Sequence, residues 1–504
     1  MKAIPVAVAV AAAFAATAEP AHAQRGADAC AALENLTLPD TIALDAERVP
    51  AGPFSVETGG AGPQTVTGEV PSFCRVRGTV APAIRFEVWL PDAADWNGRF
   101  QAVGGGGFAG VISYGAMLPN IQRGYVTAST DTGHVASDLE WLADEGRMHD
   151  YGYRAIHEMT LKAKALTEAY YGRPADYSYF NGCSTGGRQG LMEAQRFPDD
   201  YDGIVSGAPV NRFIATHYTQ LWVALAAKRH GETVLDEDTL ALVNRSVLAQ
   251  CDAADGVTDG VLEDPRTCAF DPASLQCPAS GGGDACLRSD QVEALRRIYA
   301  GPTHPKTGRQ LHPGLMPGSE PYWVLVAGSD LAPIPQEYFS RSVFADPNWD
   351  WRSFDFDQDI KAAVDKNGAI LDATDPNLRE FRDRGGKLIV YHGWNDQVIF
   401  PEGTIEYYEA VGDAVTASAP PSDFFRLFMV PGMAHCRGGS GTDQFDAQAA
   451  IEAWVERGEA PSRIEARRVE NGAVVRTRPL CAYPQTARYD GSGDPNDASN
   501  FVCE

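Results

Sequence analysis

Apolar residues between about Arg75 and Pro209 fall into short runs separated by longer amphipathic stretches. The runs at 84–90, 99–103, 125–129, 177–181 and 203–206 have strand length, and apolar positions recur at helical spacing over 153–171. Strands alternating with helices predict an α/β fold, a sheet covered by helices. The alternation lapses between about Asn211 and Asp372, where the chain turns irregular. That stretch holds acid-Gly turns, prolines, Gly281-Gly282-Gly283 and a concentration of Trp, Tyr and Phe over 322–356. Strand-like runs return at 387–391 and 425–430, and 443–457 has helical spacing. One α/β domain, 24–210 and 373–504, interrupted by an insertion at 211–372, accounts for this order.

Residues 1–23 have another character. Lys2 precedes an apolar run of small residues from Val6 to Ala18, and Ala21-His22-Ala23 forms a small-x-small cleavage site before Gln24. This pattern reads as a signal peptide, so the mature chain is expected to be exported, periplasmic or secreted. The run is too short and too Ala-rich to span a bilayer, and no later stretch reaches about 18 uninterrupted apolar residues. A net charge of −25 over 504 residues, with no long basic block, argues against a nucleic-acid or anionic-membrane partner. Ten cysteines in an exported chain fit five disulfides. Spacing suggests Cys251 with Cys268, Cys277 with Cys286, Cys481 with Cys503 and Cys30 with Cys74, leaving Cys183 with Cys436; spacing alone leaves other pairings open.

The candidate chemistry begins at Gly182-Cys183-Ser184-Thr185-Gly186-Gly187, where a strand runs into a Gly-flanked turn and then a helix near Gly187. A nucleophile elbow has this form, because side chains at the flanking positions would collide with neighbouring elements. The helix start places the Thr185 amide where it can donate to an oxyanion. The run 387–391 ends in the polar turn His392-Gly393-Trp394-Asn395-Asp396, and 425–430 leads to Pro431-Gly432-Met433-Ala434-His435-Cys436. Ser184, Asp396 and His435 thus follow the order nucleophile, acid, base. Taken singly, Asp396 could be a turn cap and His435 a loop residue, and His392 is a rival base whose place before Gly393 suggests packing or substrate contact. The cysteines favour His435: if Ser184 and His435 meet within hydrogen-bond reach, adjacent Cys183 and Cys436 come close enough to bridge. A second oxyanion donor is expected from Gly104-Gly105-Gly106-Gly107, with Gly105 favoured and Gly104 or Gly106 also able to serve. A phosphate loop is the rival there, and the absence of a following G-K-[ST] argues against it.

Between Cys251 and Val261 the chain packs Asp252, Asp255 and Asp259 into eight positions with Gly256 and Gly260 at the bends. Hard cations such as calcium take oxygens from curled loops of this kind, although the order is not that of an EF-hand, and solvated Asp-Gly turns read equally well.

Together, Gly182 to Gly190, Arg196-Phe197-Pro198, Tyr201 to Val205, Gly207-Ala208-Pro209, His392 to Asp396, Pro431 to Cys436 and Arg476 to Cys481 resemble the tannase and feruloyl esterase family, which also contains mono(2-hydroxyethyl) terephthalate hydrolase. The resemblance implies an α/β-hydrolase core with a large lid, a Ser184–Asp396–His435 triad and a Cys183–Cys436 bridge. It also implies a structural calcium in the lid, held by Asp252, Asp255 and Asp259 side chains and Val257 and Val261 carbonyls. The substrate implied is a small aromatic ester, with no catalytic cofactor. The terephthalate-type member carries an acidic residue after the nucleophile and an aromatic three positions after the acid. This chain has Thr185 and Ile399, which favours a hydroxycinnamoyl or galloyl ester. Readings from other classes, a polyphenol- or carbohydrate-binding protein on a dead hydrolase scaffold or a calcium-dependent lectin, leave the complete triad unexplained.

Overall fold

A nine-stranded sheet organises the chain. The computed structural model describes residues 28–59, 64–279, 285–328, 333–416 and 420–504; the signal peptide expected at 1–23 and the Gly281-Gly282-Gly283 tract lie outside the described residues. The strands are β1 (Thr41–Val49), β2 (Phe73–Val80), β3 (Ile84–Pro91), β4 (Arg99–Val103), β5 (Val126–Thr130), β6 (Tyr177–Cys183), β7 (Gly203–Gly207), β8 (Lys387–Gly393) and β9 (Phe425–Val430), in spatial order β1-β2-β3-β5-β4-β6-β7-β8-β9. From β1 to β5 neighbours pair antiparallel; from β5 to β9 they are parallel. Strands buried on both faces need no polar alternation, and β5 and β7 are buried at every position.

Eight helices bear on the site: α1 (Tyr114–Gln122), α2 (Ala155–Tyr171), α3 (Thr185–Arg196), α4 (Phe213–Ala226), α5 (Glu237–Cys251), α6 (Ser289–Ala300), α7 (Pro401–Thr416) and α8 (Ala447–Arg457). Successive strand side chains point to opposite faces, so Leu388 and Val390 pack with Met159 of α2, Leu191 of α3 and Tyr408 of α7, while Ile389 packs with Ile451 and Trp454 of α8. Helix ends follow local chemistry: Gly172 takes φ 73° to stop α2, and the Asp236 side chain accepts the Thr239 amide to start α5.

β7 and β8 are parallel neighbours, yet 211–372 lies between them and supplies no strand to the sheet among the described residues. It packs an apolar centre of its own around Val243, Leu287, Leu295 and Trp323. The expectation that this stretch is irregular is corrected, because α4, α5 and α6 run through it. Nearly all of α4 is buried, so its apolar residues face every direction and no periodicity marks it. Its aromatics serve the core: Trp323, Tyr338 and Phe339 have no exposed surface.

Two further departures lie at the ends. Over 443–457 the helix begins only at Ala447, where the Asp446 side chain accepts the Ala449 amide, and Gln444–Phe445 pairs instead with a hairpin formed by Arg463–Glu470 and Ala473–Cys481. β1 falls before the predicted alternation, and β2 precedes the first run predicted within it. β1 is a half-exposed edge strand whose charged residues interrupt its apolar ones. All five disulfides pair as the spacing suggests.

Candidate active site

The C-terminal ends of β6, β8 and β9 supply the candidate triad. Ser184 sits between β6 and α3 with φ 64° and ψ −120°, a conformation costly for any residue with a Cβ. Its amide donates to Gly207 O at 2.9 Å, and its carbonyl accepts from Arg188 at 3.0 Å and Val210 at 3.3 Å. Those bonds hold the strain, and the turn's tightness explains the glycines. A Cβ on Gly182 would come within 2.7 Å of the Gly186 backbone, and one on Gly104 within 2.5 Å of the Gly186 Cα.

Asp396 has no exposed surface, and its Oδ1 accepts the Val398 and Ile399 amides, both at 2.8 Å. His435 Nδ1 lies 2.7 Å from Asp396 Oδ2. An ionised carboxylate only accepts, so Nδ1 carries the proton and Nε2 is left as the base. Burial works against the imidazolium, but the adjacent Asp396 charge and hydrogen bond outweigh it, and the His435 pKa is raised. Burial likewise works against ionised Asp396; the charge of His435 and the hydrogen bonds from His392 and His435 prevail and hold its carboxyl well below the usual range.

Cys183 and Cys436 are joined, with 6.0 Å between their Cα atoms. The bridge ties the residue before Ser184 to the residue after His435, and the Cys436 sulfur lies 3.7 Å from His435 Nε2.

His392 does not face substrate. It is fully buried, with Nε2 3.3 Å from Asp396 Oδ2 and 3.2 Å from Ile399 O, and Nδ1 2.8 Å from Thr404 Oγ1. Both Nε2 neighbours only accept, so Nε2 donates and Nδ1 receives the Thr404 hydroxyl. Asp396 is thus held by two imidazoles. The i, i+4 spacing of His392 and Asp396 is visible in the sequence, but spacing across a strand end does not reveal that the chain folds back there.

The glycine loop requires a correction. The Gly105 amide donates to Gln189 Oε1 at 3.0 Å and the Gly104 amide to Asn181 O at 3.0 Å, so neither is free for an oxyanion. Gly106 has no such tie: its amide has no acceptor among the described residues, and a Cβ there would meet open space. Thr185 stands at the first position of α3, where amides lack an intrahelical acceptor. Its hydroxyl donates to Gly107 O at 2.6 Å, and the Tyr151 hydroxyl donates to the same oxygen at 2.9 Å, fastening the glycine loop to the elbow. Gln189 and Tyr151 carry no sequence signal for this work.

Phe108 beside the glycine loop, Val398 and Ile399 after Asp396, and Val210, whose amide donates to Ser184 O, belong to an apolar cluster with Phe213, Phe339 and Trp351. The turns that carry these groups are therefore anchored in a buried aromatic core.

The Asp-rich loop follows α5. Asp252 accepts the Asp259 and Gly260 amides at 3.2 and 2.9 Å, Asp255 the Val257 amide at 3.0 Å, and Asp259 the Val261 amide at 3.2 Å and Arg478 Nη2 at 2.6 Å. Val257 and Val261 are buried, and their carbonyl oxygens accept from no donor among the described residues. Burial, with the Asp259 and Asp252 charges adding to it, pushes the Asp255 carboxyl up to about 6. Excess negative charge beside two carbonyls without donors fits a cation, with Asp259 shared by Arg478.

A family model described as tannase and feruloyl esterase matches residues 65–504. An uncharacterized esterase of Xanthomonas campestris pv. campestris is 40% identical over 94% of this chain and 91% of its own length. Mono(2-hydroxyethyl) terephthalate hydrolase of Piscinibacter sakaiensis is 34% identical over 86% and 85%, respectively. The crystal structure of feruloyl esterase B from Aspergillus oryzae superposes with a TM-score of 0.88 at 29% identity, covering 95% of this chain and 100% of that one.

Proposed function

The chain belongs to the tannase and feruloyl esterase family and has its α/β-hydrolase fold, and from that premise we propose that it is a serine carboxylic-ester hydrolase acting on hydroxycinnamoyl esters, a feruloyl esterase. The observation that carries the reading is the 2.7 Å contact between His435 and buried Asp396, with His435 bridged through Cys436 to the strained elbow at Ser184. Ser184 Oγ attacks the ester carbonyl as His435 Nε2 takes its proton, while Asp396 stabilises the imidazolium. The Gly106 and Thr185 amides hold the oxyanion. His435 then protonates the leaving alcohol, and water releases the acid from the acyl-enzyme by the reverse route. Ser184→Ala should lower kcat by about 10⁴-fold or more with the melting temperature unchanged; hydrolysis near the wild-type rate would remove Ser184 from the mechanism.

The likeness to feruloyl esterase B of Aspergillus oryzae supports a hydroxycinnamoyl acyl group. Tannase-type galloyl ester hydrolysis is the second reading, and Ile399 in place of an aromatic ranks the terephthalate half-ester below both. Ratios of kcat/KM for methyl ferulate, methyl gallate, chlorogenic acid and the terephthalate half-ester decide among them; preference for the half-ester overturns the assignment. The segment 211–372 is read as a lid, and Asp252, Asp255, Asp259 and the Val257 and Val261 carbonyls as ligands of a calcium ion that neutralises the loop and orders it. Five disulfides support an oxidising, exported location. No helix among the described residues is long and apolar enough to cross a membrane.

A further inference from the structure

At the opposite end of the sheet from the triad, before β7 begins, His157 of α2, Glu193 of α3 and Asp200 of the following turn bring three donor atoms within 4.8 Å of one another. Glu193 has no exposed surface, and neither of its carboxylate oxygens has a hydrogen-bond partner. A carboxylate so placed is among the most expensive groups to bury. We propose that His157, Glu193 and Asp200 form a second metal site, taking a divalent transition-metal ion of the zinc type in a structural role.

The donor set selects the ion. One imidazole and two carboxylates suit zinc and its neighbours, whereas calcium takes oxygens alone. Donors on one ion lie about 3 to 4 Å apart, given bonds of about 2.1 Å, so small side-chain rotations close the present span. His157 Nδ1 lies 2.6 Å from Asp200 Oδ2, a direct hydrogen bond that an ion would replace as the two atoms move apart, and its ring stacks on Phe197 with centroids 3.8 Å apart, which fixes the imidazole's direction. The His157 side chain is 26% exposed, leaving a path by which an ion enters and water completes its coordination. The competing arrangement is a proton shared between Glu193 and Asp200. One proton satisfies only one Glu193 oxygen, while an ion can engage both. Lys164, on the same face of α2, lends its charge to Glu193 and Asp200, but its ammonium lies 3.3 Å from Asp199 O and makes no hydrogen bond to Glu193.

The test titrates zinc into the full chain with calcium present throughout, after dialysis against 1,10-phenanthroline. Calorimetry and elemental analysis should find one zinc per chain at this site and a higher melting temperature with zinc. Glu193→Gln and His157→Gln should each weaken binding by about tenfold or more and abolish the thermal response, with ester hydrolysis retained because the cluster lies away from the triad. A wild-type protein that binds no zinc, or affinity unchanged in both variants, overturns the proposal. So does a Glu193→Gln variant that melts higher without zinc while the wild type shows no zinc response, which assigns the cluster to a shared proton. The wild-type titration needs no variant, and His157→Gln, partly exposed, guards against a folding failure at Glu193.

Discussion

Replacing Cys183 and Cys436 together by alanine removes a cross-link whose ends are 253 residues apart. Loop-closure entropy for that length corresponds to about 5.5 kcal/mol at 25 °C. Unfolding entropy of roughly 2 cal/mol/K per residue comes to about 1 kcal/mol/K for a chain of 504 residues, so the melting temperature should fall by about 5 °C. The catalytic effect has a separate origin. On the proposed mechanism the bridge holds Ser184 in register with His435, and a displacement of about 1 Å between reacting groups costs on the order of 100-fold in rate. The control is Cys481→Ala with Cys503→Ala, whose separation of 22 gives about 3 kcal/mol by the same relation. That pair should lose stability and keep activity. Scanning calorimetry and initial rates on methyl ferulate read both effects. If removing Cys183 and Cys436 left kcat/KM within about twofold of wild type, or if both pairs lost activity alike, the bridge would have no positioning role.

The second imidazole on Asp396 predicts that His392→Leu lowers kcat about fivefold, the equivalent of one hydrogen bond of about 1 kcal/mol, with KM little changed. His392→Gln, which keeps a donor, should retain most activity; equal losses in the two variants would assign His392 to packing alone. With His435 as the proposed base, active when neutral and with its pKa raised, kcat/KM should fall as pH drops through a midpoint above about 6.5. Asp396→Asn should move that midpoint down in whatever activity survives, and a midpoint unmoved would disconnect Asp396 from the base. Chelating calcium should lower the melting temperature, by about 2.7 kcal/mol of stability when the ion stood at 100 times its Kd. Asp255→Asn should erase that response, and a chelator without effect on the wild type would remove calcium from the loop.

Legibility in the sequence follows the kind of signal each element carries. β4 and β9 are readable to the residue because short apolar runs between breakers permit few alternatives. The contact of Asp396 with His435 and the bridge from Cys183 to Cys436 are readable because Ser184, Asp396 and His435 each follow such a run and two of them carry adjacent cysteines. α4 is hidden by uniform burial, and β1 by the charges on its exposed edge. Gly105 misleads for a different reason: four consecutive glycines look alike in sequence, and only Gln189, reaching across from α3, distinguishes one amide from the next. The partners of His392 depend equally on tertiary folding, because Thr404 arrives from α7 and Ile399 O from the turn between.

Synthesis presents the cysteines in an awkward sequence. Cys183 appears 253 residues before Cys436, and Cys251, Cys268, Cys277 and Cys286 all appear in the interval, each a chemically competent wrong partner. Rapid indiscriminate oxidation therefore favours a chain in which Ser184 is tethered away from His435. Active enzyme per milligram should rise when a disulfide isomerase is supplied during production, and an unchanged specific activity would mean that the sheet assembles before Cys183 can be captured.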